Sequence, residues 1–276
     1  MQPTQPGAPQ FRRDLYAGTA RDYERYRVPY PPELTRDLAA ESGADGRGRL
    51  LDLACGPGPL SFALRRYFAE VWAVDQEPDM IAAVRQKAGP AGDGIRAVQA
   101  AAEDLAAPAG AFDLVVIGNA FHRLPRAAVA ARVLGWLRPG GLLGLAWGGS
   151  PFDPGPAGPV PWQQALTAVM DRWQAAVGER VPAGFAQDQR EHPDQAILTA
   201  AGFAAAGRRE YPVVREWTAA GMAGFLFSTA VLSRAALGGR AAELEADLRR
   251  ELRAAAGDGP YRQDLTFACD LYRRPA

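Results

Sequence analysis

Short apolar runs recur through the first half of the chain, at 50–55 (LLDLAC), 71–74 (VWAV), 95–98 (IRAV), 112–117 (FDLVVI) and 142–147 (LLGLAW). Their length suits strands buried on both faces. Between them the apolar positions open out to helical spacing, most clearly over 60–69, 78–88 and 126–137. Five such strand–helix repeats predict an α/β, doubly wound, mostly parallel sheet covered by helices on both sides.

The flanking punctuation refines this. Residues 1–10 read as a flexible tail, and 14–27 (DLYAGTARDYERYR) as a polar, aromatic-bearing helix able to lie over a pocket. Pro29, Pro31 and Pro32 precede a further helix, Pro78 suits a first helical position, and Pro139-Gly140-Gly141 is expected to stop a helix ending near Arg138. The stretch 148–161 holds five prolines and four glycines, which forbids regular structure and marks the exit from the sheet. Beyond it the pattern predicts helices over about 162–177, 218–236 and 240–256, a strand near 208–215 and a last strand near 264–272, without internal repeats. The expected organisation is one domain over 11–276, with a core of about 33–149 and cap elements at about 11–32, 150–205 and 217–260.

Composition narrows the function classes. In 276 residues, 48% are apolar and 22% charged, enough to bury a sizeable core. The 31 basic and 31 acidic side chains cancel, so the net positive field that accompanies sequence-independent nucleic-acid binding is missing and no nucleic-acid partner is expected. Lys87 is the single lysine, a bias toward arginine that carries no mechanism. Cys55 and Cys269 are too few and too far apart for a disulfide framework or a zinc knuckle, and no metal site is expected. With no apolar leader and no long uncharged apolar stretch, a cytoplasmic chain without a membrane partner is the expectation, and a homodimer is left open.

The candidate chemistry sits at Leu50-Leu51-Asp52-Leu53-Ala54-Cys55-Gly56-Pro57-Gly58, a buried strand running into a glycine turn and then a helix. Glycines at 56 and 58 allow a sharp turn and a close approach of backbone to ligand. The second strand ends at Asp75, where a carboxylate can accept both hydrogen bonds of a ribose diol, so a nucleoside ligand is expected at the carboxyl ends of strands one and two. A plain turn at Gly56 and Gly58, with Asp75 as a helix N-terminal acid, is the competing reading.

With these residues the chain resembles the class I methyltransferases, specifically a bacterial small-molecule group. Its motifs read here as YERYRVPYP from Tyr23, LDLACGPG, AVDQEPDM, AEDL, GNAFH and LRPGG, with further landmarks at Ala201-Gly202-Phe203 and Tyr272-Arg273-Arg274-Pro275. The resemblance runs from about residue 11 to the end of the chain. It implies a seven-stranded Rossmann-like sheet with an appended helical cap, S-adenosyl-L-methionine as cofactor, and methyl transfer to an oxygen or carbon of a small-molecule acceptor, plausibly in secondary metabolism. It further implies that Asp52, Ala54, Gly56 and Gly58 line the methionine end, and that Asp75, Gln76 and Met80 hold ribose and adenine. Ala102, Glu103 and Asp104 would meet the adenine amino group, Asn119 would border the site, and Tyr16, Tyr23 and Arg27 would close over the methionine carboxylate. A guanidinium fork matches a carboxylate. An amphipathic, solvated helix face is the alternative for the last three.

Two departures from the family pattern matter, the first for the cofactor and the second for the acceptor. Ala54 stands where relatives often carry glycine, and Arg123 and Pro125 stand where many carry Trp and Asp. The segment Gly118-Asn119-Ala120-Phe121-His122 lacks the prolines of amine-methylating relatives, which disfavours nucleobase amines. Displacement at a sulfonium needs mainly alignment and exclusion of water, so the lack of a conspicuous catalytic set is no obstacle. His122 is the candidate general base, with a purely structural role as its equal rival. His192, before Pro193, reads as capping or solvated, and Cys55 as a small buried residue. Phe152, Trp162, Trp173, Trp217, Phe225 and Phe227 each suit core packing and as a set suggest an apolar acceptor wall. The rival fold-level reading is a nicotinamide-dependent oxidoreductase, but Ser61 replaces the third glycine of that fingerprint. The rival reaction is one other than methyl transfer, such as a cyclisation, with the same cofactor bound.

Overall fold

The computed structural model describes residues 11–155, 158–178, 182 and 185–276; the tail expected at 1–10 lies outside the described residues. The five apolar runs are strands β1 (Arg49–Leu53), β2 (Glu70–Asp75), β3 (Ile95–Gln99), β4 (Phe112–Gly118) and β5 (Leu137–Trp147). With β6 (Ala204–Trp217) and β7 (Tyr261–Arg273) they form a seven-stranded sheet in the order β3-β2-β1-β4-β5-β7-β6. β1 to β5 pair in parallel, and β7 inserts antiparallel between β5 and β6. This is the doubly wound, mostly parallel Rossmann-like architecture that the repeats predict. The strand order reverses between β1 and β4, and such sheets bind ligands at the carboxyl ends of those strands.

The helices divide between the two faces. α1 (Ala20–Tyr26) lies in the N-terminal segment, and α2 (Pro32–Ser42), α3 (Pro59–Leu64) and α4 (Pro78–Ala88) contribute Leu34, Leu38, Leu60, Leu64, Ile81 and Val84 to one core layer against Leu50, Val71 and Leu114. On the other face α5 (Arg126–Trp136) packs Val129 and Val133 against Leu51, Leu53, Val115 and Ile117. Pro32, Pro59 and Pro78 each stand in the first turn of a helix, where a missing N–H costs nothing. Of the later helices, α6 (Pro161–Val177) precedes α7 (Phe185–Glu191) and α8 (Asp194–Ala200), and α8 joins α5 through Leu198. α6, α9 (Ala219–Phe227) and α11 (Ala241–Ala256) share a third core containing Trp162, Trp173, Trp217, Phe225 and Phe227. α10 (Arg234–Leu237) adds Leu237 to it. Among the described residues no helix is long and apolar enough to cross a membrane.

The helix expected over 60–69 ends at Leu64 with a 3-10 turn to Tyr67, and three further boundaries differ from the sequence expectation for a local reason. The helix expected over 14–27 begins only at Ala20, because Gly18 takes a left-handed φ of 77° and the preceding residues form turns. The helix expected to reach Arg138 ends at Trp136; Leu137 already pairs with Phe112, so the Pro-Gly-Gly segment is an irregularity inside β5 rather than a helix stop. Gly140 N and Arg274 N donate to Arg274 O and Gly141 O, which carries this irregular stretch alongside the end of the chain. The helix expected over 218–236 breaks after Phe227, where the Ser228 and Thr229 hydroxyls donate to Phe225 O and Leu226 O.

Candidate functional site

Where β1 ends, the chain takes left-handed conformations at Ala54 (φ 55°), Gly56 (φ 58°) and Gly58 (φ 81°) before Pro59 opens α3. This is the turn that the glycine spacing demands, with Ala54 a non-glycine residue in the same region. Beneath it Asp52, 1% exposed, accepts a hydrogen bond from the Ser61 hydroxyl at 2.6 Å, and burial pushes its carboxyl up to about 7. Ser61 therefore braces the turn from below.

Asp75, at the end of β2, braces it from the side. Its Oδ2 accepts from Gly56 N at 2.8 Å and its Oδ1 from Glu77 N at 2.9 Å. Burial pushes its pKa up while the backbone amides oppose the shift. Each carboxylate oxygen has two acceptor positions, so one on each remains beyond these amides.

At the end of β4, Asn119 has a φ of 51° and its side chain is fully committed. Oδ1 accepts from Gly148 N at 3.1 Å, and Nδ2 donates to Gly148 O at 3.0 Å and to the Tyr30 hydroxyl at 3.2 Å. The Gly148 N–H fixes which way the amide points. Asn119 thus ties β4 to the end of β5 and to the N-terminal segment.

These three strand ends surround a cavity with about 780 Å³ of empty volume, some of it open to solvent. Ten of the residues singled out from the sequence line it together: Tyr16, Tyr23, Ala54, Gly56, Asp75, Gln76, Met80, Ala102, Glu103 and Asn119. A second cavity, with about 870 Å³ of empty volume, shares Tyr23 and Asn119 with the first and adds Arg27, Tyr30, Lys87, Gly148 and Gly149. Asp52, Gly58 and Asp104 line neither: Asp52 turns to Ser61, Gly58 lies against Phe62 and Val84, and Asp104 pairs with Arg13 at 2.9 Å.

The N-terminal segment forms the outer wall of the first cavity. Tyr16 N donates to Glu77 Oε1 at 2.9 Å and Ala20 N to Asp79 Oδ2 at 3.2 Å, while Arg123 bonds the Tyr16 hydroxyl and lies over its ring. Burial, with Asp75 and Asp79 nearby, pushes the Glu77 carboxyl up to about 7. Glu77, which the sequence reading passed over, and Arg123, which it named only as a departure from the family pattern, both line the cavity. Glu77 stands inside the AVDQEPDM segment, but nothing local signals that the chain 61 residues earlier folds onto it.

Arg27 lies over the Tyr23 and Phe225 rings, at 4.7 and 4.3 Å, and donates through Nε and Nη2 to Ser228. Among the described residues no carboxylate forms an ion pair with it, and burial lowers its pKa. His122 lines neither cavity. Its ring packs against Trp147 and Phe185, and burial together with the Arg126 charge lowers its pKa to about 4. His192 is exposed and bonds Asp188 at 3.1 Å. None of the six aromatics grouped as an acceptor wall lines either cavity; five belong to the third core and Phe152 packs against it.

Comparison with known proteins gives these features their context. The family described as methyltransferase domain matches residues 50–141. An uncharacterized methyltransferase from Mycobacterium tuberculosis is 33% identical over 139 residues, covering 49% of this chain and 54% of that protein. A trans-aconitate 2-methyltransferase from a Mycobacterium species is 47% identical over 53 residues, 18% of this chain and 21% of that protein. The chain thus spans about half the length of the first of these relatives, or less. Among solved structures, one from Anaeromyxobacter dehalogenans, provisionally described as a type II methyltransferase, superposes with a TM-score of 0.59 at 23% identity. It covers 90% of this chain and 97% of that one, which establishes the shared fold.

Proposed function

We propose that the chain, whose residues 50–141 match the methyltransferase domain family, binds S-adenosylmethionine in the first cavity and transfers its methyl group to an oxygen or carbon of a small molecule. The observation that carries the reading is the convergence of the Gly56 turn, the free acceptor positions of Asp75 and the Met80–Ala102 wall on one cavity at the ends of β1 and β2. Asp75 is set to accept from a ribose diol, and the left-handed turn brings the Gly56 backbone to the cavity without a side chain intervening. When bound, the cofactor supplies an electrophilic methyl on a sulfonium. The residues of this chain then have to hold it, bring up the acceptor and exclude water.

A relative named for trans-aconitate supports a small-molecule acceptor. Arg27, lacking an acidic partner among the described residues, suits the methionine carboxylate through the donors that Ser228 leaves unused. A role for His122 as base finds little support in its position, since an imidazole with a pKa near 4 is a weak base and its ring is packed between Trp147 and Phe185. The test is incubation with S-adenosylmethionine and a library of small acids, alcohols and phenols, following S-adenosylhomocysteine and the mass gain of one methylene on the acceptor. Formation of both supports the reading. Cofactor binding with a rearranged but unmethylated small molecule would favour the cyclisation alternative.

A further inference from the structure

The two cavities meet at Tyr23 and Asn119, and the chemistry of the second one is one-sided. Asn119 uses both amide hydrogens and its oxygen within the fold, and one of those hydrogens goes to the Tyr30 oxygen. Tyr30 is therefore an acceptor toward Asn119, and its own O–H must point elsewhere. Among the described residues no acceptor takes that proton, and Tyr30 borders the second cavity. Its place depends on Gly118, where any Cβ would collide with the Tyr30 hydroxyl.

The rest of the lining offers donors and no base. Tyr23 makes no side-chain hydrogen bond among the described residues, and Arg27, whose charge the methionine carboxylate takes in the reading above, stands at the border of the same cavity. The only carboxylate in the lining, Glu24, is exposed and paired with Lys87 at 3.5 Å. Burial holds both tyrosines in the protonated form, well above the ordinary phenol value for Tyr30. Asp52 acts on both tyrosines but turns to Ser61 and lines neither cavity, so the lining itself holds no unpaired base for a neutral hydroxyl, while its donors can hold an oxygen that arrives already ionised. Carboxylates are ionised at neutral pH.

We infer that the second cavity binds the acceptor as a carboxylate, with the Tyr30 O–H, aimed by Asn119, donating to one carboxylate oxygen. The inference rests on the methyl-transfer reading above and names the acceptor class for it. The other carboxylate oxygen forms the O–CH3 bond as the S–CH3 bond breaks, and that electron pair stays on sulfur. The products are a neutral methyl ester and a neutral thioether, and no proton is released. Opposite charges cancel along this path, so a largely buried setting favours it over water.

The test uses full-length protein saturated with S-adenosylhomocysteine, titrated calorimetrically with benzoate, succinate and citrate, and with the corresponding neutral amides. At least one carboxylate should bind and its amide should not. Tyr30→Phe and Gly118→Ala should each weaken that carboxylate by about 10- to 100-fold, the scale of a hydrogen bond to a charged group. Tyr30→Phe should leave the affinity for S-adenosylhomocysteine within about twofold of wild type. Turnover in weakly buffered solution should then give S-adenosylhomocysteine with no proton yield and a methyl group released as methanol by mild base. Failure of all three carboxylates to bind the wild-type complex overturns the inference. So does equal carboxylate affinity in Tyr30→Phe, or one proton released per turnover on an alcohol or phenol, while the methyl-transfer reading survives each of these. Failure of S-adenosylhomocysteine itself to bind removes the underlying reading.

Discussion

Ala54 and Glu77 show how single residues set the site. Ala54 sits at φ 55°, where a Cβ is tolerated at a cost of roughly 1–2 kcal/mol and a β-branched side chain fits badly. Ala54→Gly should leave unfolding free energy within about 1 kcal/mol of wild type, since relief of strain and added unfolded-state entropy oppose one another. Ala54→Val should lower it by more than about 1 kcal/mol, and urea unfolding of the three proteins checks both. Glu77 has its carboxyl raised to about 7, above the ordinary 4.5, by burial and by neighbouring Asp75 and Asp79. Between those values the folded state holds a proton that the unfolded state releases, so this group's contribution to stability falls as pH rises through the window. Glu77→Gln should flatten that fall, seen as a smaller loss of unfolding free energy between pH 5 and pH 7.5 than in wild type. An unchanged slope would remove Glu77 as its source.

At the scale of elements, α1 and α9 meet at Gly224. A Cβ there would collide with the Tyr26 ring, so α1 and α9 approach only because α9 has no side chain at that point. α1 carries Tyr23 and leads into Arg27. Gly224→Ala should therefore displace α1 and weaken S-adenosylhomocysteine binding several-fold, although alanine is the better helix former by about 1 kcal/mol. Calorimetry showing unaltered affinity would mean that α1 does not govern access. Elements with strong one-dimensional signals were legible from the chain: β1, β2, β3 and β4 follow their apolar runs, and α4 begins at Pro78 as its N1 position requires. Boundaries set by competition were not. The Leu137–Gly141 stretch reads as a helix stop, yet its backbone pairs with β4 and with the chain end, contacts invisible in the local pattern. Ser228 and Thr229 likewise look compatible with a continuing helix until their hydroxyls take its carbonyls.

For the whole molecule, the part of the site built from strand ends could be read in advance, because sheet topology brings Ala54, Gly56, Asp75, Gln76 and Asn119 together. The part built by distant segments folding over it could not: Tyr30 reaches Asn119 across 89 residues and Arg123 reaches Tyr16 across 107. In the proposed function this assembled cavity holds S-adenosylmethionine, with Asp75 on the ribose. The most direct test is calorimetric titration of S-adenosylhomocysteine into wild-type protein, Asp75→Ala and Asp75→Asn, with NADH as the control ligand. One site per chain is expected in the wild type, with affinity lower by about 1.5–3 kcal/mol in Asp75→Ala, an intermediate loss in Asp75→Asn, and no binding of NADH. Absence of binding to the wild type, tight binding of NADH, or an Asp75→Ala affinity equal to wild type would contradict it.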